Sequence, residues 1–152
     1  MKIRNYQPRD FDFLKQMFSM VTYESTSLDF DNAPNLNIYY QNFGQGVYDY
    51  GQVITVNTGK PIGMIWCRLI KGYGYVQADL PELIMAIRPQ FQHRGYGTQL
   101  LTSFLNLTNQ HNFTGLSLCV NKTNNVAVQL YEKAGFERVK EQNQMLIMKL
   151  IF

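Results

Sequence analysis

Cysteine is scarce in this sequence of 152 residues, in which only Cys67 and Cys119 are present. Two cysteines cannot build a disulfide framework, and neither stands in a metal-ligand spacing. Each lies in an apolar, strand-like segment, so we expect two buried free thiols and no metal site. Long apolar runs are also missing, since none approaches the ~18 residues that a membrane span requires. Residues 1–5 are too polar for a signal peptide, and we therefore expect a cytoplasmic protein without a membrane partner.

Positive charge is not concentrated anywhere in the chain. Fourteen Lys and Arg against eleven Asp and Glu give a net charge of +3. The cations are scattered, which argues against a nucleic-acid partner. Only two histidines are present, and a Gly-x-Ser-x-Gly element is absent, so nothing supports a hydrolytic triad. The sequence is instead rich in apolar (45%) and aromatic (14%) residues, which predicts a packed core in a single domain over residues 1–152.

The periodicity of the apolar residues predicts a mixed α/β fold built on one sheet. The predicted order is strand, helix, helix, three strands, helix, strand, helix, strand. Residues 57–60 (Asn-Thr-Gly-Lys) indicate a hairpin between two of the strands. The second helix is expected to begin at Pro34 and to end at Gly44, with an apolar stripe made of Leu36, Tyr39, Tyr40 and Phe43. The last strand is expected over residues 145–151.

A glycine-rich turn between a strand and a helix is the most informative feature of the sequence. The apolar residues 83–87 are followed by Pro89, by the pattern Gln92-x-x-Gly95-x-Gly97, and by a helical stripe that begins at Leu100. The first amides of a helix lack intrahelical partners and carry a partial positive charge, so glycine there lets a phosphate or pyrophosphate approach them. The Gly-Lys-[Ser/Thr] of a P-loop and the third glycine of a dinucleotide fold are absent. A turn that only needs glycine for positive φ is the alternative.

A second block lies downstream, where an apolar strand over residues 118–120 leads into a helix. Thr123 or Asn124 can cap this helix, and Gly135 can end it in a left-handed conformation. Its expected buried stripe consists of Val126, Ala127, Leu130 and Ala134.

Together the two blocks, over about residues 82–136, resemble the GNAT superfamily of N-acetyltransferases. The first block resembles the [Gln/Arg]-x-x-Gly-x-[Gly/Ala] motif that binds the pyrophosphate of acetyl-coenzyme A, and the order of elements is that of the GNAT fold. The resemblance implies an enzyme that transfers an acetyl group from acetyl-CoA to a primary amine by direct attack in a ternary complex. It also implies a set of residues that contact the cosubstrate: Met85, Ala86, Ile87, Gln92, His93, Arg94, Gly95, Tyr96, Gly97, Thr98 and Asn124.

The resemblance further implies two catalytic side chains. Tyr131 matches the frequent general acid of the family, because a phenol can give a proton to a departing thiolate. Glu82 begins the central strand, where relatives place a general base that acts directly or through water. For each residue a plainer interpretation stays open: Tyr131 packs in the helix, Glu82 is an exposed residue at a strand end, and His93 is a loop side chain facing solvent. Cys119 is not expected to act as a nucleophile, because its apolar neighbours raise the pKa of a thiol.

The acceptor is the least determined part of the prediction. Glu24, Asp29 and Asp31 lie within eight residues of one another, in the loop that faces the acceptor in relatives. They would favour a small cationic amine, but a solvated loop with capping aspartates is the better-supported interpretation of them, and a peptide or protein amine stays open. A non-catalytic acyl-CoA-binding or regulatory module is the alternative function, and the protein is expected to be a monomer or homodimer.

Overall fold

The computed structural model describes residues 1–21 and 30–152. Its strands, in chain order, are β1 (Lys2–Asn5), β2 (Tyr50–Thr55), β3 (Pro61–Arg68), β4 (Glu82–Ile87), β5 (Gly115–Asn121), β6 (Glu137–Gln142) and β7 (Met145–Ile151). Its α-helices are α1 (Phe11–Met20), α2 (Pro34–Asn37), α3 (Tyr96–Gln110) and α4 (Asn125–Lys133). The described residues contain no helix with the length and apolar character needed to cross a membrane.

All seven strands form one sheet in the order β1-β2-β3-β4-β5-β7-β6. Every neighbouring pair is antiparallel except β4 and β5, which are parallel. That parallel pair has a single position in register, Glu82 opposite Ser117. Beyond Glu82 the two strands are no longer in register, and no strand in the described ranges pairs with this edge of β4. A cleft opens there in the middle of the sheet.

Helices cover both faces of the sheet. On one face α1 and the segment after α2 pack on the central strands through Leu14, Phe18, Tyr39 and Trp66, all at most 1% exposed. On the other face α3 and α4 bury a second set of side chains, including Leu100 and Phe104. Each such large apolar side chain contributes roughly 1.5–3 kcal/mol when it is fully buried. The first core contains residues of β4, and the second contains residues of both β4 and β5, so β4 is packed on both of its faces.

The predicted order of elements is confirmed with one correction, because the structure adds strand β6 before the last strand. All six residues of β6 are exposed, and its sequence Glu-Arg-Val-Lys-Glu-Gln lacks the apolar alternation by which strands are predicted. An edge strand pairs on one side only, and charged side chains there discourage pairing with other chains. Strand β6 is therefore held by its backbone pairing with β7.

The second helix is shorter than predicted. It ends at Asn37, and Asn42 and Gly44 adopt positive φ angles of 56° and 104°. The apolar residues of the predicted stripe are nevertheless buried as expected, with Tyr39 0% exposed. A compact series of turns thus buries the same side chains that a helix would have buried.

In α4 the predicted stripe is partly wrong. Val126 is 57% exposed, and Val128 and Tyr131 are the buried residues instead. Val126 faces the central cleft, which explains why an apolar side chain remains exposed. Gly135 has a φ of 107° and ends the helix region as predicted, and both cysteines are buried free thiols, as expected.

Candidate active site

The glycine-rich turn presents a row of backbone amides at the start of α3. Gly95 is the N-cap residue with a φ of 84°, and His93 also has a positive φ, of 62°. The first hydrogen bond of the helix runs from the Gln99 amide to the Gly95 carbonyl over 3.1 Å. Within the described part of the chain, the amides of residues 93–98 donate to no protein acceptor. An anion is the ligand that this arrangement suits.

Side chains keep this turn close to the neighbouring elements. The Gln92 side chain donates to the Ile87 carbonyl over 2.9 Å, which ties the turn to the end of β4. A Cβ atom at Gly97 would lie 3.4 Å from Leu130 of α4, whereas one at Gly95 would meet open space. Gly95 is therefore needed for its left-handed backbone conformation, whereas Gly97 lets the start of α3 approach α4.

A cleft of about 580 Å³ lies between the separated strands β4 and β5 and is bordered by the starts of α3 and α4. Ten of the eleven residues predicted to contact the cosubstrate line it: Met85, Ala86, Ile87, Gln92, His93, Gly95, Tyr96, Gly97, Thr98 and Asn124. Arg94 is not among the lining residues, and its guanidinium lies 5.7 Å from the centre of the Phe91 ring instead. A side chain that turns away can still contribute its backbone amide.

Tyr131 lines the same cleft from α4. Its ring packs against Phe136 at 5.6 Å between ring centres, and the residue is 6% exposed. No hydrogen bond to its hydroxyl is found among the described residues. A tyrosine hydroxyl is protonated at neutral pH and is available as a donor, and burial raises the pKa of this phenol further above its usual range.

Asn124 caps α4, as one of the two residues predicted for that position, and it also lies at the cleft. Its side-chain oxygen accepts from the Ala127 amide over 3.2 Å and so caps α4, and the residue also lines the cleft. Asn121 lines the cleft as well, while its side-chain oxygen accepts from the amide and hydroxyl of Thr123. These asparagines order the loop between β5 and α4 along one wall of the cleft.

Glu82 is fully buried, so the exposed strand-end interpretation is wrong. One carboxylate oxygen accepts from the Tyr39 hydroxyl over 2.6 Å, and the other accepts from the Gly74 amide over 3.1 Å. Burial raises the pKa of Glu82 to about 7, and the two hydrogen bonds only partly oppose this effect. A carboxylate with a pKa near neutrality can take up a proton at physiological pH.

Glu82 does not line the cleft but lies close behind its wall. A Cβ atom at Gly74 would lie 2.7 Å from the Leu118 carbonyl carbon and 3.0 Å from the Glu82 carboxyl carbon. The loop after β3 therefore rests directly on β5 with the carboxylate beside it. Burial and the nearby charge of Glu82 raise the pKa of Cys119 to about 12, which is the direction predicted for this thiol.

A second cleft, of about 840 Å³, adjoins the first. It lies between the start of α2, the loop after β3, and the hairpin formed by β6 and β7. Cys119, Asn121 and Met145 border both clefts. A molecule in one cleft can therefore meet a molecule in the other at the middle of β5, beside the buried Glu82 carboxylate.

The acidic residues Glu24, Asp29 and Asp31 do not form a binding site among the residues that the structure describes. Asp31 accepts from the Tyr40 hydroxyl over 2.6 Å and pairs with Lys15, and these two partners lower its pKa. It lines neither of the two clefts, and Glu24 and Asp29 lie outside the described residues. Across the ranges 1–21 and 30–152, no group of His, Cys, Asp and Glu side chains is placed to hold a metal ion.

Several apolar residues line the first cleft without having been predicted as site residues, among them Met20, Val21, Val126, Ala127, Leu130 and Met145. Val126 carried no separate signal, because the sequence places it in the predicted buried stripe of α4 and only the structure shows it at the cleft. Met20 and Val21 carried none, since only the fold brings the end of α1 to the cleft.

Comparison with known proteins gives a family match and a relative that aligns over part of the chain. The model of the Acetyltransferase (GNAT) family matches residues 15–136. Over 55 residues the chain is 34% identical to the ribosomal protein bS18-alanine N-acetyltransferase of Haemophilus ducreyi (strain 35000HP). This match covers 36% of the chain and 38% of that relative, so it spans little more than a third of the relative's length.

Among the solved structures that share the fold over nearly the whole chain are two bacterial acetyltransferases. The acetyltransferase of the GNAT family from Streptococcus pneumoniae has a TM-score of 0.73 at 20% identity, covering 99% of this chain and 98% of its own. The ribosomal-protein-alanine N-acetyltransferase from Brucella melitensis has a TM-score of 0.73 at 16% identity, with 100% of both chains covered. At these identities the likeness establishes the architecture.

Proposed function

The chain belongs to the acetyltransferase (GNAT) family, whose members use acetyl-CoA as cosubstrate, and from that premise we propose that it transfers the acetyl group directly to a primary amine within a ternary complex. The observation that carries the proposal is the separation of β4 from β5 after the single pair at Glu82 and Ser117. It creates a cleft with an unpaired strand edge along one side and free amides at one end.

In this proposal the cosubstrate occupies the first cleft. Its pyrophosphate accepts hydrogen bonds from the amides of residues 93–98, where the α3 dipole adds a favourable partial charge. Its pantetheine arm lies along the open edge of β4 and bonds to the backbone of Met85, Ala86 and Ile87 as an added strand would. Asn124 and the exposed Val126 contact the arm from α4.

Two side chains supply the proton transfers. The amine nitrogen attacks the thioester carbonyl carbon, and the carbon–sulfur bond breaks. The proton lost by the amine passes to Glu82, whose pKa of about 7 suits a base at neutral pH. Because Glu82 is fully buried, we propose that water carries the proton to it. The departing thiolate takes a proton from the Tyr131 hydroxyl, which then regains one from solvent.

For the acceptor, the two candidates from the sequence have unequal support. A peptide or protein amine is supported by the relative whose name specifies an alanine of a ribosomal protein. A small cationic amine rests on Glu24, Asp29 and Asp31, of which the described Asp31 is engaged by Lys15 and Tyr40. We therefore propose a peptide or amino-acid-like amine in preference to a polyamine.

A screen for thiol release tests the proposal. The protein is mixed with acetyl-CoA and a panel of amines and short peptides, and free coenzyme A is followed with a thiol reagent. We expect release that depends on the acceptor and on Tyr131. Tight binding of coenzyme A in calorimetry, with no release for any acceptor, would instead support the non-catalytic acyl-CoA-binding module.

A further inference from the structure

The second cleft carries an unusual distribution of charge. Only two charged residues line it among those the structure describes, Lys71 and Lys140, and both are cations. Five side-chain amides line it as well, from Asn35, Asn121, Gln142, Asn143 and Gln144. The cleft is therefore rich in hydrogen-bond donors and positively charged, at the place where an acceptor would meet the thioester.

The two lysines have no carboxylate partner among the described residues. Lys71 lies over the Tyr75 ring, with its Nζ 5.9 Å from the ring centre. The nearby acids are engaged elsewhere: Glu82 is buried and accepts from Tyr39 and Gly74, and Glu141 pairs with Lys122 at 3.3 Å. The positive charge of the cleft is thus available to a ligand.

From this charge distribution we propose that the second cleft binds the acceptor, and that the acceptor is a primary amine that also carries an anionic group held by Lys71 and Lys140. The inference rests on the proposed acetyl transfer and specifies its substrate class. The amine end reaches Cys119 and Met145, where the two clefts meet, and the anionic end stays near the lysines. A second ammonium group in the same place would be repelled by both lysines.

The anionic group can be a carboxylate or a phosphate, since both accept hydrogen bonds from ammonium and amide donors. Four small amines of similar length distinguish the possibilities. β-Alanine carries a carboxylate, O-phosphoethanolamine a phosphate, ethanolamine no second charge, and 1,2-diaminoethane a second amine. A set of tripeptide amides with Glu, Gln or Lys at the second position tests whether the anion can belong to a peptide side chain.

The test compares the parent protein with Lys71→Gln, Lys140→Gln and the double variant. Lys60→Gln is the matched control, because it removes the same charge from the hairpin between β2 and β3, outside both clefts. We expect kcat/KM to be highest for the anionic acceptors, and the double variant to lose roughly 10-fold or more for these alone. The KM for acetyl-CoA should stay within two-fold of the parent value, on the order of measurement error.

Three results would overturn the inference. One is a preference for 1,2-diaminoethane or the Lys peptide that Glu24→Gln/Asp29→Asn/Asp31→Asn abolishes. Another is an equal loss in Lys60→Gln and in the double variant. If no acceptor is acetylated, the proposed transfer fails separately, and calorimetry on the protein with coenzyme A then decides the inference. Binding of anionic amines that the double variant weakens would sustain it, and equal binding by both proteins would end it.

Discussion

The hydroxyl of Tyr39 donates a hydrogen bond of 2.6 Å to the carboxylate of Glu82, from a position 43 residues earlier in the chain. The same hydroxyl accepts from the Tyr73 amide over 2.7 Å. One phenol thereby joins the segment after α2, the loop after β3 and the first residue of β4. The residue proposed as the base is thus held by elements that border the second cleft, and its proton affinity depends on their positions.

Removing this hydroxyl should shift the pH dependence of catalysis. The bond to Tyr39 lowers the pKa of Glu82, so the pKa should rise in Tyr39→Phe and a higher pH should be needed to form the carboxylate. A hydrogen bond to a charged group is worth ~1.5–3 kcal/mol, so the acidic limb of the kcat/KM profile should move up by about one to two pH units.

Tyr40→Phe is the matched control for this shift, since its hydroxyl bonds to Asp31 over 2.6 Å and not to Glu82. An acidic limb that stays in place in Tyr39→Phe, or that moves equally in Tyr40→Phe, would remove the link between Tyr39 and the base.

Glu82 should also make stability depend on pH. Its pKa rises from an ordinary value of 4.5 to about 7 on folding, so the folded protein holds the proton more tightly than the unfolded chain. Stability contributed by this group is therefore fully present below pH 4.5 and is lost as the pH rises through about 7. Glu82→Gln should lose this dependence, so that its free energy of unfolding gains up to about 3 kcal/mol over the parent between pH 4.5 and 8.

Denaturant titrations at several pH values measure this difference. Glu137→Gln, at an exposed position of β6, serves as the control and should follow the parent at every pH. Parallel curves for Glu82→Gln and the parent would show that the carboxyl does not titrate in this range.

The sequence allowed the glycine turn, the helix with Tyr131 and the order of elements to be predicted because each leaves a local pattern. The geometry around Glu82 left none, since its partners Tyr39 and Gly74 come from other segments and meet it only through the fold. Strand β6 was not predicted because backbone pairing with β7 holds it in place, and backbone groups have the same chemistry in every residue. The second cleft was not predicted either, because its lining residues come from segments that are distant in the sequence.

Gly95 should be needed for binding of the cosubstrate, in addition to allowing a positive φ angle. Gly95 and Gly59 have similar φ angles of 84° and 90°, and a Cβ atom would meet open space at either position. Valine should therefore cost similar stability at both, roughly 1–2 kcal/mol. Only Gly95→Val should weaken coenzyme A binding, by about 10-fold or more in calorimetry, because its side chain would occupy the space in front of the free amides. Equal affinities for the two variants would place the pyrophosphate elsewhere.

Cys119 should not carry the acetyl group, although it borders both clefts. With a pKa of about 12, its thiolate is a negligible fraction at neutral pH, and the thiol is a poor nucleophile. Cys119→Ala should keep kcat within about three-fold of the parent, less than the ~10²-fold expected for lost nucleophilic or acid–base catalysis. Cys67→Ala, which removes a fully buried thiol away from both clefts, controls for the loss of packing. An acetylated Cys119, found by mass spectrometry after mixing with acetyl-CoA alone, would contradict direct transfer.

Tyr131→Phe gives the sharpest test of the proposed chemistry. The thiolate of coenzyme A leaves in a cleft with mainly apolar side chains on its α4 wall, where it needs a proton at the sulfur. Tyr131 lines that cleft, and its hydroxyl has no hydrogen-bond partner among the described residues. This phenol is protonated at neutral pH, so it has a proton to donate. Positioned acid catalysis is typically worth ~10²–10⁴-fold, so kcat should fall by that factor, or roughly 3–5 kcal/mol of barrier.

The affinity for coenzyme A should hold within a few-fold in Tyr131→Phe, because the ring and its packing on Phe136 remain. Tyr50→Phe is the control, since its hydroxyl lies 3.4 Å from His111 Nδ1 at the far end of α3. That variant should keep the parent kcat. A near-parent kcat in Tyr131→Phe would assign Tyr131 to packing, since solvent or the departing ammonium would then protonate the thiolate. A fall in kcat with unchanged affinity would locate the lost interaction in the transition state, where a general acid acts.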